Sequence, residues 1–288
     1  MNGYLLDTSA LRGLSNSDLQ LLVDQGVNLY TSPYSVCELI SHLDEPSQFE
    51  RTKGRLKKFQ YTEVLDDPQA TFLNALSFTD RQRLIANDIV EASLAALHAA
   101  SSLEEFYSSY IRDRENNVRK LSQYALRTRE ILRLYEKEYI EFVNKILGAL
   151  PSYEKDLNDS QNQRGLILGM VEGEIIKLVR RGALWATLRE DTINNTFIYY
   201  AYIFYRSLEW FKRGKTKVEK NDFRDANICR HLRVDAPFHL ITGDKGIYEA
   251  ICQVIFLAEN VEPKIQTSLQ VDYLSYLQGI ARKKETEP

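Results

Sequence analysis

Cysteine is scarce in this sequence of 288 residues: Cys37, Cys229 and Cys252 are an odd count with no close pair. That excludes a disulfide framework and a cysteine-based zinc site, and leaves three thiols to be packed as small core residues. The four histidines, His42, His98, His231 and His239, are scattered without metal-ligand spacing. No apolar run reaches the roughly eighteen residues a membrane helix needs, and Met1 is not followed by a basic flank and a long apolar stretch. Neither a membrane span nor a secretory leader is expected, so a cytoplasmic location is. Excess positive charge is missing too: a net charge of -3 offers nucleic acid no global attraction. Any such partner would have to be held by a local basic patch or through bound metal. Phosphate-cradling glycine loops and a serine nucleophile elbow are likewise absent, which removes support for those kinds of nucleotide binding and for acyl hydrolysis.

What is present is an ordinary folding composition, 44% hydrophobic and 27% charged, without low-complexity tracts. Residues 4–7 read as a short buried strand ending in Asp7. Ser15 and Ser17 are candidate caps for a helix over 18–24, ending near Gly26, and residues 27–31 suit a second strand. After Pro33, Val36, Leu39, Ile40 and Leu43 recur at helical spacing across 34–43. This alternation predicts an α/β fold with a parallel sheet. From about 79 to 211 the strand signal almost vanishes. Ile111, Val118, Ala125, Leu132, Tyr139 and Ile146 recur every seven residues, beside the less apolar series Arg114, Leu121, Thr128, Tyr135 and Phe142, which predicts one long helix packed along a neighbour. Pro151 and residues 155–164 are expected to form a loop, with helices over 166–181 and 192–212. The α/β pattern then resumes: a helix over 221–231, a strand over 238–242, a helix over 246–255, a late strand over 264–268, and a last helix before the charged tail 282–288. The expected division is an α/β core of residues 1–70 and 215–275, an all-α insertion at 79–212, and a C-terminal helix end and tail at 276–288.

Acids gather where open α/β sheets place functional groups, at strand ends and helix starts. Asp7 closes the first strand, Asp244 follows the strand 238–242 by two residues, Asp222 and Asp225 begin the helix that feeds it, and Glu38 sits among apolar neighbours on the helix after the second strand. Carboxylates converging on one crevice raise each other's pKa unless a cation neutralises them. Oxygen-only ligands without His or Cys favour Mg²⁺ or Mn²⁺, which retain waters suited to attack on phosphorus. Phosphodiester hydrolysis is the matching reaction. Thr8, Ser9 and Thr242 are the hydroxyls expected to orient a carboxylate or a bound water. Lys57-Lys58, Arg180-Arg181 and the basic residues of 212–220 are the available cationic clusters, and the aromatic run at 199–205 is expected to be core unless its rings lie open beside arginines.

The segments Leu5-Leu6-Asp7-Thr8-Ser9, Ser35-Val36-Cys37-Glu38-Leu39, Asn221-Asp222-Phe223-Arg224-Asp225-Ala226-Asn227-Ile228 and Leu240-Ile241-Thr242-Gly243-Asp244 come in an order that resembles the PIN-domain ribonucleases, toxin-type members included. The resemblance covers residues 1–65 and 220–270. It implies an α/β/α sandwich, one or two Mg²⁺ or Mn²⁺ ions held by Asp7, Glu38, Asp222, Asp225 and Asp244, and RNA cleavage by activated water. RNA is then the expected partner, with DNA as the alternative, and a homo-oligomer and an inhibitory protein partner stay open. The long helical segment departs from the compact family core. Two rivals are weighed. A haloacid-dehalogenase-like phosphatase would need acids where Ser9 and Tyr248 stand, and a noncatalytic scaffold would not need the acids intact.

Overall fold

The computed structural model describes residues 3–41, 49–76, 87–112, 118–180, 185–215, 218, 220–234, 238–261 and 269–283. Strand β1 (Gly3–Leu6) leads into α1 (Thr8–Gly13) and α2 (Asn16–Asp24), and β2 (Asn28–Thr31) follows. Next come α3 (Pro33–Ser41), α4 (Phe49–Leu56), a 3₁₀ turn (Lys57–Tyr61), β3 (Glu63–Val64) and α5 (Pro68–Ala75). The middle holds α6 (Asn87–Ala99), α7 (Leu103–Ser108), β4 (Tyr110–Arg112), β5 (Val118–Lys120), α8 (Leu121–Ala149), α9 (Ser160–Arg180) and α10 (Trp185–Lys212). The chain ends with α11 (Lys220–Cys229), β6 (Phe238–Thr242), α12 (Lys245–Val261), β7 (Gln270–Tyr273) and α13 (Leu274–Lys283).

Five strands form one sheet in the order β3-β2-β1-β6-β7, and all four pairings are parallel. Residues 3–64 and 238–273 therefore build a single sheet although the middle helices separate them in the chain. Side chains alternate across it, as the strand period of two requires. Leu5, Leu240 and Val271 join the core cluster made by α8 to α12, whereas Leu6, Leu29 and Ile241 join the one made by α1 to α4, α6, α7 and α13. Helices cover both faces of an α/β sheet. The register is tight at one point: a Cβ on Gly3 would come within 2.3 Å of the Tyr30 ring on the paired strand.

The helix α10 packs along α9 and against α8, α11 and α12. Its aromatic run is core: Phe197, Tyr202 and Ile203 have no exposed surface, and Trp210 is buried at its far end. Helices α8, α9 and α10 thus form one wall of the sheet's own core.

Several local expectations are corrected. The seven-residue series does not make one helix from Ile111, because Ile111 and Val118 lie on β4 and β5, which pair as an antiparallel hairpin, and α8 starts only at Leu121. A repeat of seven cannot by itself separate a helix from a hairpin that carries apolar residues at the same positions. Residues 155–164 are not all loop, since α9 begins at Ser160. The expected strand at 264–268 lies outside the described residues, and β7 follows at Gln270. Of the two serines, Ser15 is the cap of α2, in a reciprocal pair with Asp18. Gly26, at φ +73°, makes the turn into β2. Among the described residues, no helix is long and apolar enough to cross a membrane.

Candidate functional site

In this strand order the chain leaves β1 toward β2 on one side and returns to β6 on the other, so the topological switch point lies between β1 and β6. Open α/β sheets leave a crevice beyond the strand C-termini at such a point. Asp7 is the first residue after β1 and Asp244 the second after β6, on the two strands that flank it.

Asp7 is 2% exposed and is the N-cap of α1, accepting the Ala10 N–H at 2.5 Å. Ser9 Oγ also donates to its carboxylate (2.8 and 2.7 Å), and so does Thr242 Oγ1 (2.6 Å), from the end of β6. Thr242 in turn accepts the Asp244 N–H (2.9 Å), and Ser9 accepts the Gly243 N–H (2.8 Å). This bracket locks the two strand ends together. Of the hydroxyls expected to orient a carboxylate, Ser9 and Thr242 do so, while the buried Thr8 hydroxyl has no hydrogen-bond partner among the described residues. Asp244 doubles as the cap of α12, accepting from Gly246 (2.6 Å) and Ile247 (3.1 Å). Burial raises the Asp7 pKa, its three hydrogen bonds pull it back, and the charge of Asp244 adds to the rise.

Glu38 is held from two sides, by Arg12 at 3.2 Å and Arg224 at 3.1 Å, which ties α1, α3 and α11 into one cluster. Asp222 lies inside the first turn of α11, 2% exposed, where Arg206 of α10 donates both Nε (3.1 Å) and Nη2 (2.8 Å) to its Oδ1. Burial works against the Arg206 cation, yet Tyr202 and Asp222 carry its pKa upward. Among the described residues, Asp225 differs from the other acids in making no hydrogen bond and no ion pair. Burial pushes its carboxyl well above the usual range, and the charges of Asp244, Asp222, Asp7 and Glu38 push the same way, in that order. The charges of the other four acids singled out in the sequence are therefore all felt at Asp225.

The donor set is oxygen only, which suits a hard divalent cation, and a cation is what would relieve the repulsion on Asp225. Among the described residues, no three His, Cys, Asp or Glu side chains stand in a ready-made metal-holding arrangement. Protein cations meet part of the charge instead, Arg12 and Arg224 at Glu38 and Arg206 at Asp222.

Sequence reasoning missed these arginines. Arg206 carries a legible signal, as the only charge in residues 192–208, because a lone charge in an apolar helix is buried only when paired. Arg224, between Asp222 and Asp225, carries another. The Lys57-Lys58 cluster turns out differently: Lys58 Nζ donates to the carbonyls of Leu11 (3.2 Å), Arg12 (3.0 Å) and Leu14 (2.6 Å) and so closes the C-terminal end of α1. His231 bonds Ser32 at 2.9 Å, and burial drops its pKa to about 3, so it is neutral. Comparison with family models, with curated proteins and with solved structures finds no match.

Proposed function

We propose that this chain is a divalent-metal-dependent endoribonuclease with a PIN-like three-layer α/β/α architecture, acting on RNA in the cytoplasm. The observation that carries the reading is Asp225, a carboxylate that has no hydrogen bond or ion pair among the described residues and whose pKa is raised by the charges of Asp244, Asp222, Asp7 and Glu38. In this reading Asp7, Glu38, Asp225 and Asp244 hold Mg²⁺ or Mn²⁺, with Asp222 beside them. When bound, such an ion neutralises phosphoryl charge and activates water. The chain's own groups do the rest. Ser9 and Thr242 fix the Asp7 carboxylate, Arg206 fixes Asp222, and Arg12 and Arg224, both partly exposed, are the cations that an incoming phosphate backbone meets.

The test is incubation of the pure protein with labelled RNA and DNA panels in Mg²⁺, in Mn²⁺ and in chelator, beside the Asp7→Asn variant. Wild type is expected to cut RNA only with the metal. The variant, folded by circular dichroism, is expected to cut nothing. At a hundredfold excess over Kd, Mn²⁺ should stabilise wild type by about 2.7 kcal/mol and the variant by far less. Wild type that neither cuts nucleic acid nor gains stability from a divalent ion would leave a noncatalytic scaffold, its acids neutralised by arginine.

A further inference from the structure

The β4-β5 hairpin turns one of its two faces away from the body of the protein. Its register pairs Tyr110 with Lys120, Ile111 with Arg119 and Arg112 with Val118. Directly opposed residues point to the same side of a sheet, so Tyr110, Arg112, Val118 and Lys120 share one face, and Ile111 and Arg119 share the other. The inner face is the anchor: Ile111 is buried and joins the core cluster of Phe106, Leu121 and the α3 residues Val36 and Leu39. At the base of the hairpin the Leu121 N–H donates to the Ser109 carbonyl (2.8 Å), where α8 begins. The outer face is therefore held in place by the inner one.

That outer face combines an open ring with positive charge. Tyr110 is 64% exposed, and Val118, diagonal to it across the pair, is 56% exposed. Arg112 and Lys120 are exposed beside them, and Lys120 Nζ stands 5.9 Å from the centre of the Tyr110 ring. Residues 113–117 lie outside the described residues and are no part of the site. The described strand residues carry the cations Arg112, Arg119 and Lys120 and no acid. The nearest described acids along the chain, Glu104 and Glu105, belong to the first turn of α7, where Glu105 accepts the Ser101 N–H (2.7 Å). In a chain of net charge -3, such a face is a local positive patch with an aromatic ring at its centre.

The chemistry narrows the partner. An apolar helix would cover the ring and the valine but strand two cations against it. An acidic peptide would meet the cations and leave the ring idle. In a duplex the bases are stacked on one another and stay out of a side chain's reach, whereas unpaired bases stack on aromatic rings while their phosphates meet Arg and Lys. We propose that the outer face of β4-β5 is a platform for single-stranded nucleic acid, with Tyr110 stacking on a base, Val118 packing beside it, and Arg112 and Lys120 holding the flanking phosphates. β4 packs on α6, and α6 packs on α3, which carries Glu38. Two packing steps of about 8–10 Å each separate the platform from α3, a span that a short oligonucleotide covers. Delivery of the strand to the acids rests on the nuclease reading; binding at the hairpin does not.

The test is fluorescence anisotropy of labelled single-stranded RNA of about a dozen nucleotides, titrated with the full chain in chelator so that nothing is cut, beside a duplex of the same length. The single strand is expected to bind at least about tenfold tighter than the duplex. Tyr110→Ala should weaken its binding about tenfold, and Tyr110→Trp, which keeps a ring to stack on, should match or exceed wild type. Arg112→Ala and Lys120→Ala should each lower the slope of log affinity against log salt by about 0.7. Lys137→Ala removes an exposed charge about 25 Å further along α8 and should leave that slope unchanged. All the substituted positions are exposed, and circular dichroism establishes that the variants are folded. Absence of single-strand binding at about 100 μM protein, equal binding of the duplex, or Tyr110→Ala binding as wild type does would overturn the proposal. So would a slope that Lys137→Ala lowers as much as Lys120→Ala. Displacement of the RNA by equimolar oligoglutamate would give the face to an acidic protein instead. Binding that depends on Tyr110, without metal-dependent cleavage, keeps the platform and removes the nuclease. Cleavage together with binding that ignores Tyr110 does the reverse.

Discussion

Acidification should stabilise the metal-free protein through Asp225. In an unfolded chain this carboxyl titrates near its ordinary value of about 3.9, whereas in the fold burial and four neighbouring acids hold it well above that range. Between the two values the unfolded chain has released a proton that the folded chain still holds. Unfolding free energy then falls as pH rises, with a slope of up to about 1.4 kcal/mol per pH unit, and the contribution is fully present only below the unfolded pKa. Asp7 acts in the same direction. His231 opposes both: its folded pKa is down at about 3, so between that and about 6.5 the unfolded state binds the extra proton and stability rises with pH. Wild type alone would show the sum. The informative quantity is the difference between wild type and Asp225→Asn, taken from urea unfolding in chelator from about pH 4.5 to about pH 8. That difference should fall with pH at up to the slope above and level off once Asp225 ionises, a change readable against a typical stability of about 5–15 kcal/mol. Saturating Mn²⁺ should flatten it, because a bound cation favours the ionised carboxylate. A difference that is flat or rises with pH in chelator would refute the electrostatic account of Asp225.

Arg206→Met should destabilise the fold by about 3–5 kcal/mol, since it takes a bidentate guanidinium away from the buried Asp222 carboxylate, and the double variant with Asp222→Asn should recover most of the loss. A loss under about 1 kcal/mol in urea unfolding would mean that the pair is not what holds α10 to α11. Lys58→Ala should cost about 1–2 kcal/mol by releasing three carbonyls at the end of α1, while leaving nucleic-acid binding in a filter assay unchanged; weakened binding would show that Lys58 also faces the substrate.

The sheet was legible in the sequence because its strands are short apolar runs bounded by turn chemistry, as at residues 4–7 and 238–242, and because acids at strand ends have few other reasons to recur in that setting. Helix α1 was not legible. Its cap is Asp7 itself, so one residue carried two signals, strand end and helix start, and only the first was read. The hairpin β4-β5 was hidden by a heptad coincidence. The middle helices read as an insertion because their strand signal is weak, yet nothing local reveals that Phe197, Tyr202 and Trp210 lie in the same core cluster as Leu5 and Leu240. That is a property of packing across more than a hundred residues, and periodicity does not encode it. The choice between Thr8 and Ser9 at Asp7 likewise depends on the first turn of α1, which orients Ser9 toward the carboxylate and Thr8 away from hydrogen-bond partners.

The hydrogen bond between Thr242 and Asp7 joins residues 235 positions apart, and this gives the molecule a clock. A ribosome adding about 5–20 residues per second spends many seconds between the two. Throughout that interval β1 has no β6 beside it, Asp7 lacks the hydroxyl from Thr242, and Asp225 and Asp244 are made more than two hundred residues after Asp7. A chain released before Asp225 is made lacks two of the five acids. If the acids cut RNA, the nascent polypeptide stays inert beside the message and ribosome that are making it until Asp244 has joined Asp7.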